Sequence, residues 1–154
     1  MEVYVIKVTL LGISPPVWRR ALVHRDITLR NLHKTLQTVM GWTNSHLHQF
    51  VFNSQKYSDP KFGLGAGIID ESRTRLGDVI CIPGARLLYE YDFGDGWQHE
   101  LLLEEVLLGD ESFRQICVVR QAYRQLPYGL YQCLFTLTTA RDSTLNRLGP
   151  IGAP

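Results

Sequence analysis

Three histidines and two aspartates fall into two short stretches of the sequence. His46 and His48 lie in Ser45-His46-Leu47-His48-Gln49-Phe50, and Asp92, Asp95 and His99 lie in Tyr91-Asp92-Phe93-Gly94-Asp95-Gly96-Trp97-Gln98-His99. Alternation along a strand puts residues 46 and 48 on one face. Two imidazoles with a carboxylate from a neighbouring strand form a donor set suited to Zn, Mn or Fe, and such an ion could activate water against a phosphodiester. A structural reading stands beside this one. Asp92 and Asp95 would hydrogen-bond backbone groups of a glycine-containing turn, while the histidines brace a sheet. No cofactor is required by the sequence, and a divalent metal is the one it admits.

A second constellation is basic. Arg19, Arg20, Arg25 and Arg30 gather around one expected strand and the start of a helix. Phosphate binding needs several cations on one face. Arg19 and Arg20, as neighbours on a strand, face opposite sides, so a solvated surface competes with a nucleic-acid interface. Asp92-Phe93-Gly94 spells the kinase magnesium tripeptide, but the chain has no glycine-rich phosphate loop and too little length for two lobes. Gly63-Leu64-Gly65-Ala66-Gly67 lacks the Lys-Ser/Thr of a nucleotide loop and reads as a connector. Cys81, between Ile80 and Ile82, reads as a small buried hydrophobe.

The 154 residues, 45% hydrophobic and 20% charged, suit one globular domain and exclude disordered and collagen-like classes. Net charge is +1, which gives no general attraction to nucleic acid or membrane. The balance is uneven along the chain. Residues 1–113 carry 11 Lys and Arg against 14 Asp and Glu, whereas residues 114–154 carry five Arg against Asp142 alone. Cys81, Cys117 and Cys133 are too few and too far apart for a disulfide scaffold, which points to a reducing, cytoplasmic setting. The apolar start, interrupted by Lys7, reads as a strand and not as a signal peptide, and no run reaches the ~18 apolar residues of a membrane span.

The elements that must position these residues follow from periodicity. Tyr4, Ile6, Val8 and Leu10 alternate with Val3, Val5, Lys7 and Thr9, a strand covered on both faces near its start. Gly12 to Pro16 turn the chain into a second strand, 17–23, and the two pair as a hairpin. Asp26 and Thr28 offer cap oxygens to a helix in which Leu29, Leu32, Leu36, Val39 and Met40 recur at helical spacing, and Gly41 stops it. Strands at 46–52 and from Lys56, a loop at 59–73, an apolar turn at 76–80, a strand at 86–93 and a hairpin arm at 97–108 complete the body. This is the α+β order of a β-grasp domain such as ubiquitin: one mixed sheet with one main helix across a face. The arm 97–108 is expected to extend that sheet.

Taken in order, Pro16-Val17-Trp18-Arg19-Arg20, the helix Leu29 to Gly41 with Trp42, the stretch Ser45 to Phe50, and Tyr91 to Glu100 resemble the plasmid pRiA ORF-3-like family. The likeness covers about residues 3–108. It implies a compact α+β domain associated with plasmids and insertion elements, with no assigned activity. Trp18, Trp42, Phe93, Gly94 and Trp97 then count as structural parts of the motifs. The tail lacks the Cys-Pro-Pro-Glu-Asp-Gly-Gly type segment and acidic helix that usually follow in the family, through divergence or a reading-frame change near residues 110–120. The expected organisation is a domain over 1–112 and a weakly specified extension over 113–154. The expected function is a non-enzymatic binding module that engages protein or nucleic acid, without membrane contact, through a sheet face or edge. The competing expectation is a metal-dependent enzyme acting on phosphodiesters through the His/Asp cluster.

Overall fold

The computed structural model describes residues 1–109 and 120–121. The expected weak attachment of the extension 113–154 lies outside the described residues, except for one two-residue strand. In chain order the elements are β1 (Glu2–Leu10), β2 (Val17–His24), α1 (Leu29–Met40), β3 (His48–Phe52), β4 (Gln55–Ser58), β5 (Ile69–Asp70), α2 (Leu76–Val79), β6 (Arg86–Tyr91), β7 (Trp97–Leu108) and β8 (Arg120–Gln121).

The strands form one sheet in the order β5-β4-β3-β6-β7-β1-β2-β8. Every pairing is antiparallel except β4 with β5, so the sheet is mixed. The α+β class with one main helix is therefore as the periodicity requires. The place of β7 differs from the expected one. It does not extend the sheet at an edge but lies in its middle, hydrogen-bonded to β6 on one side and β1 on the other. The reason is apolar area. Leu101 and Leu103 on β7 are fully buried beside Ile6, Val8 and Leu87, and an edge position would leave one flank of that row in water. A register shift between Val5 and Ile6 lets the long β7 follow β1 past the bulge.

Helix α1 sits on one face of the sheet. Its N-cap Thr28 accepts the Asn31 N–H, and Gly41 at φ 76° turns the chain out while the Trp42 N–H donates to the Gln37 carbonyl. Leu29, Leu32, Leu36 and Val39 are buried against Tyr4, Ile6, Phe50, Leu87 and Leu101. At roughly 2 kcal/mol for each fully buried aliphatic side chain, this stripe supplies most of what holds α1 in place. Two polar residues, His33 and Gln37, lie one turn apart within the same buried stripe. On the opposite face Val3, Val5 and Leu22 form a smaller apolar cluster with Leu107, which accounts for the two-sided burial at the start of β1.

Candidate functional site

The two polar residues in the helix stripe open a closed ring of hydrogen bonds. The Asn44 side-chain oxygen can only accept, so His33 Nε2–H donates to it at 2.6 Å. His33 Nδ1 then accepts from the Tyr89 hydroxyl at 2.8 Å, the Tyr89 oxygen accepts from Gln37 Nε2 at 2.9 Å, and Gln37 Oε1 accepts the Asn44 N–H at 2.8 Å. Asn44 reaches both partners because it adopts φ 54°, a left-handed conformation that asparagine tolerates. Every buried polar atom of this ring has a partner, which is the condition for placing such groups in a core.

His48, the first residue of β3, stacks on His33 with ring centroids 3.4 Å apart and planes 3° from parallel. Its Nε2–H donates to Glu71 Oε2 at 2.8 Å, and both side chains are almost wholly buried. Arg30 of α1 lies 3.9 Å from the other Glu71 oxygen and pairs with Asp59 at 2.9 Å. Phe62 packs edge-on to His48. His48 Nδ1 is buried without a hydrogen-bond partner. Burial, reinforced by the neighbouring His48 and offset in part by Asn44 and Glu71, pushes His33 down to about 4, so it is neutral at pH 7. Burial likewise raises the Tyr89 hydroxyl beyond its ordinary range.

The expected His/Asp cluster does not form one site. His46 lies before β3 begins, so strand alternation does not pair it with His48. It is half exposed, with Nδ1 3.4 Å from Asp92 Oδ2 and its ring edge-on to Tyr91. Asp92, at φ 57°, accepts the Gly94 and Asp95 N–H groups through Oδ1, the turn role that glycine-flanked aspartates suggest. Asp95 gives its backbone N–H to that turn and keeps its side chain in water. His99 is fully buried on β7, where Trp42 Nε1–H donates to its Nε2 at 3.3 Å. Burial lowers His99 to about 4. The Tyr89 and Trp97 carbonyls pull the other way without a well-directed hydrogen bond to Nδ1. His48 and His99 each pack against the Tyr89 ring, at 6.0 and 5.3 Å. Among the described residues no three His, Cys, Asp or Glu side chains are placed to share a metal ion.

The arginines are mostly committed to carboxylates. Arg20 holds Glu104 through two nitrogens and lies over the Trp18 ring, Arg25 pairs with Glu2, and Arg30 pairs with Asp59. Arg19, half-buried, directs Nη1 to the Met40 sulfur, and its loss of hydration lowers its pKa. Opposite faces for Arg19 and Arg20 are as strand alternation requires. Cys81, expected in the core, is free and exposed beside the exposed Ile82, because the chain turns outward after α2.

The sequence signals for Trp42 and Trp97 converge at one end of the sheet. The Trp42 ring lies 5.5 Å from both Tyr91 and Trp97 and edge-on to His99. Around these rings the β1–β2 turn, the segment before β3 and the β6–β7 turn meet. The Leu11 N–H bonds the Gln98 carbonyl, and the Asp92 N–H bonds the Leu47 carbonyl. Leu11, Ile13, Leu47 and Phe93 stand exposed there, each by 36% to 42%.

Comparison with known proteins follows the same motifs. The model of the plasmid pRiA4b ORF-3-like proteins matches residues 2–128. The chain belongs to this family. The match runs past the last quoted motif and takes in the first part of the segment expected to depart from the family. An uncharacterized protein of Sinorhizobium fredii is 43% identical over 100 residues, which cover 64% of this chain and 52% of the relative, so the chain spans about half of that relative's length. A crystal structure of a protein of unknown function from Methanosarcina mazei is similar at a TM-score of 0.68 and 32% identity, covering 77% of this chain and 67% of the other. No helix among the described residues is long and apolar enough to cross a membrane.

Proposed function

We propose that this family member is a non-enzymatic interaction module of a plasmid- or insertion-element-associated protein, and that it binds a protein partner through the apolar end of its sheet. The observation that carries this reading is the exposure of Leu11, Ile13, Leu47 and Phe93 on segments that backbone hydrogen bonds bring to the end of the sheet where Trp42 meets Trp97. Large side chains left in water together, over a rigid aromatic base, mark association surfaces more often than solvated ones. A protein partner is favoured over nucleic acid because, within the basic cluster of the described residues, Arg20, Arg25 and Arg30 already face carboxylates. A β-grasp order of elements, with β7 inserted between the hairpin and the closing strand, belongs to the same reading. So does a cytoplasmic setting, which the free and exposed Cys81 favours.

The test uses surface substitutions that leave the core alone. A Leu11→Ser/Phe93→Ser double variant is compared with Ile82→Ser, a more exposed apolar site after α2. Partner association, read by crosslinking and size-exclusion chromatography of the full chain, is expected to be lost in the double variant and kept in Ile82→Ser, with thermal midpoints unchanged in both. Equal association in all three proteins would remove the sheet end from the proposal. Tight, salt-dependent binding of duplex or single-stranded DNA would replace the protein partner with nucleic acid.

A further inference from the structure

The buried polar network adjoins the apolar end through the segment 43–47, and it ties α1, β3 and β6 to the stretch that follows β4. His33 belongs to α1, Tyr89 to β6, and Asn44 to the segment that leaves α1. His48 opens β3, and Glu71 follows β5 at the end of the glycine-bearing stretch 59–71. That stretch is fastened by Arg30 to Asp59 and Glu71, by the Arg30 N–H to the Glu71 carbonyl, by the Glu71 N–H to the Ser58 carbonyl and by Phe62 against the His48 ring. It is a strap across the edge half of the sheet, and its inner end is the His48–Glu71 pair.

We propose that the stacked His33–His48 pair is an acid-sensitive latch, closed while the pair carries at most one proton charge and opened when a second proton enters. The geometry gives the reason. Two imidazoles in parallel contact at 3.4 Å, both nearly excluded from water, cannot both be cations without strong repulsion. Protonation of His33 also removes the acceptor at Nδ1 that receives the Tyr89 hydroxyl hydrogen, so the closed ring loses a bond.

The surrounding charges do not relieve this. Glu71 is the carboxylate that reaches the stack, and it is already hydrogen-bonded to His48. Asp59 is engaged by Arg30. Arg30 and Lys34 on α1 add positive charge, and Asn44, Gln37 and Tyr89 add none. The burial that keeps His33 neutral at pH 7 supports the same conclusion. Acid therefore opens this corner before the rest of the core. The strap 59–71 and the segment 43–47 separate from the sheet, while the β1–β2 and β6–β7 hairpins remain paired.

Hydrogen-exchange protection measured on the full chain between pH 7.5 and 4.5 tests the latch, with each amide corrected for its intrinsic rate. Amides of 43–47 and 59–71 are expected to lose protection by up to about tenfold per pH unit below 6.5, the slope for uptake of one proton on opening. Amides of β1, β6 and β7 exchange only when the whole chain unfolds and should stay better protected than the strap at every pH. In His33→Gln, which has no titrating ring, the steep loss in the strap should disappear. Equal protection of the strap and of β1, β6 and β7 at every pH, or the same slope in His33→Gln, would overturn the latch. If His33→Gln does not fold, the histidine ring resonances of the unaltered chain decide the matter. A His33 that titrates near 6.5 with no change at strap amides overturns it, and a His33 that gains its proton only together with strap opening supports it.

Discussion

Tyr89→Phe removes one oxygen and tests whether the buried ring of hydrogen bonds contributes to stability as its geometry requires. The hydroxyl is both the donor to His33 Nδ1 at 2.8 Å and the acceptor for Gln37 Nε2 at 2.9 Å, and Tyr89 is wholly buried. Its loss leaves one lone pair and one N–H without partners where water does not reach. At about 1–3 kcal/mol for each buried polar group left unsatisfied, the cost is roughly 2–5 kcal/mol, reduced somewhat because the phenyl ring has no hydroxyl to desolvate. That is a large part of the ~5–15 kcal/mol that holds a domain folded. Urea unfolding of both proteins at pH 7.5, followed by far-ultraviolet circular dichroism, gives the difference directly when the slopes agree. A His33→Phe change and the double variant complete a cycle. The two substitutions should cost markedly less together than the sum of their separate costs, because they break the same bond. A loss under about 1 kcal/mol for Tyr89→Phe, or strict additivity in the cycle, would show that the ring is incidental to stability.

Global stability should also depend on pH. His33 and His99 both stand at about 4 in the folded chain against an ordinary 6.5, so the unfolded chain takes up these protons first. Stability is then fully present above 6.5 and falls as pH drops toward 4. From pH 7 to 5 each histidine accounts for about 2 kcal/mol of loss, and a flat denaturation midpoint over that range would contradict both assignments. Leu36→Ala should cost about 2–5 kcal/mol in urea unfolding, since Leu36 is completely enclosed between α1 and the sheet. Gly77→Ala places a Cβ 2.4 Å from Arg25 Cγ. It should cost about 1–3 kcal/mol in the same assay, and a neutral result would mean that the Arg25 side chain moves aside freely. His46→Ala, by contrast, should change stability by less than about 0.5 kcal/mol, because the half-exposed imidazole contributes only a weak contact with Asp92 and an edge-on one with Tyr91.

Some of the candidate chemistry was legible locally. Asp92 and the following glycines form the turn that their types and spacing suggest, because an aspartate oxygen reaches the N–H two residues on without help from the rest of the fold. Helix α1, its Thr28 cap and its Gly41 stop follow equally from neighbours within one or two turns. His46 and His48 misled for a related reason. Alternation holds only inside a strand, and β3 begins at His48. Glu71 and Asn44 carried no local mark. The one signal available for the network was the pair His33 and Gln37 inside an otherwise apolar helical stripe, which implies buried polar partners without saying where they come from.

The sequence by itself determined the class and order of elements, the two-sided burial of β1, the hairpins and the helix, and it pointed to the family through motifs that remain contiguous in the chain. These depend on periodicity and turn chemistry over a few residues. Tertiary structure alone decided that β7 lies between β1 and β6, since strand neighbours are chosen by which rows of apolar side chains can be buried together, whatever their separation along the chain. It alone brought Tyr89 to His33 across 56 residues and Glu71 to His48 across 23. Hydrogen bonding and desolvation act through space, so the identity of a buried histidine's partner, and with it the histidine's charge, is fixed only once the chain has folded.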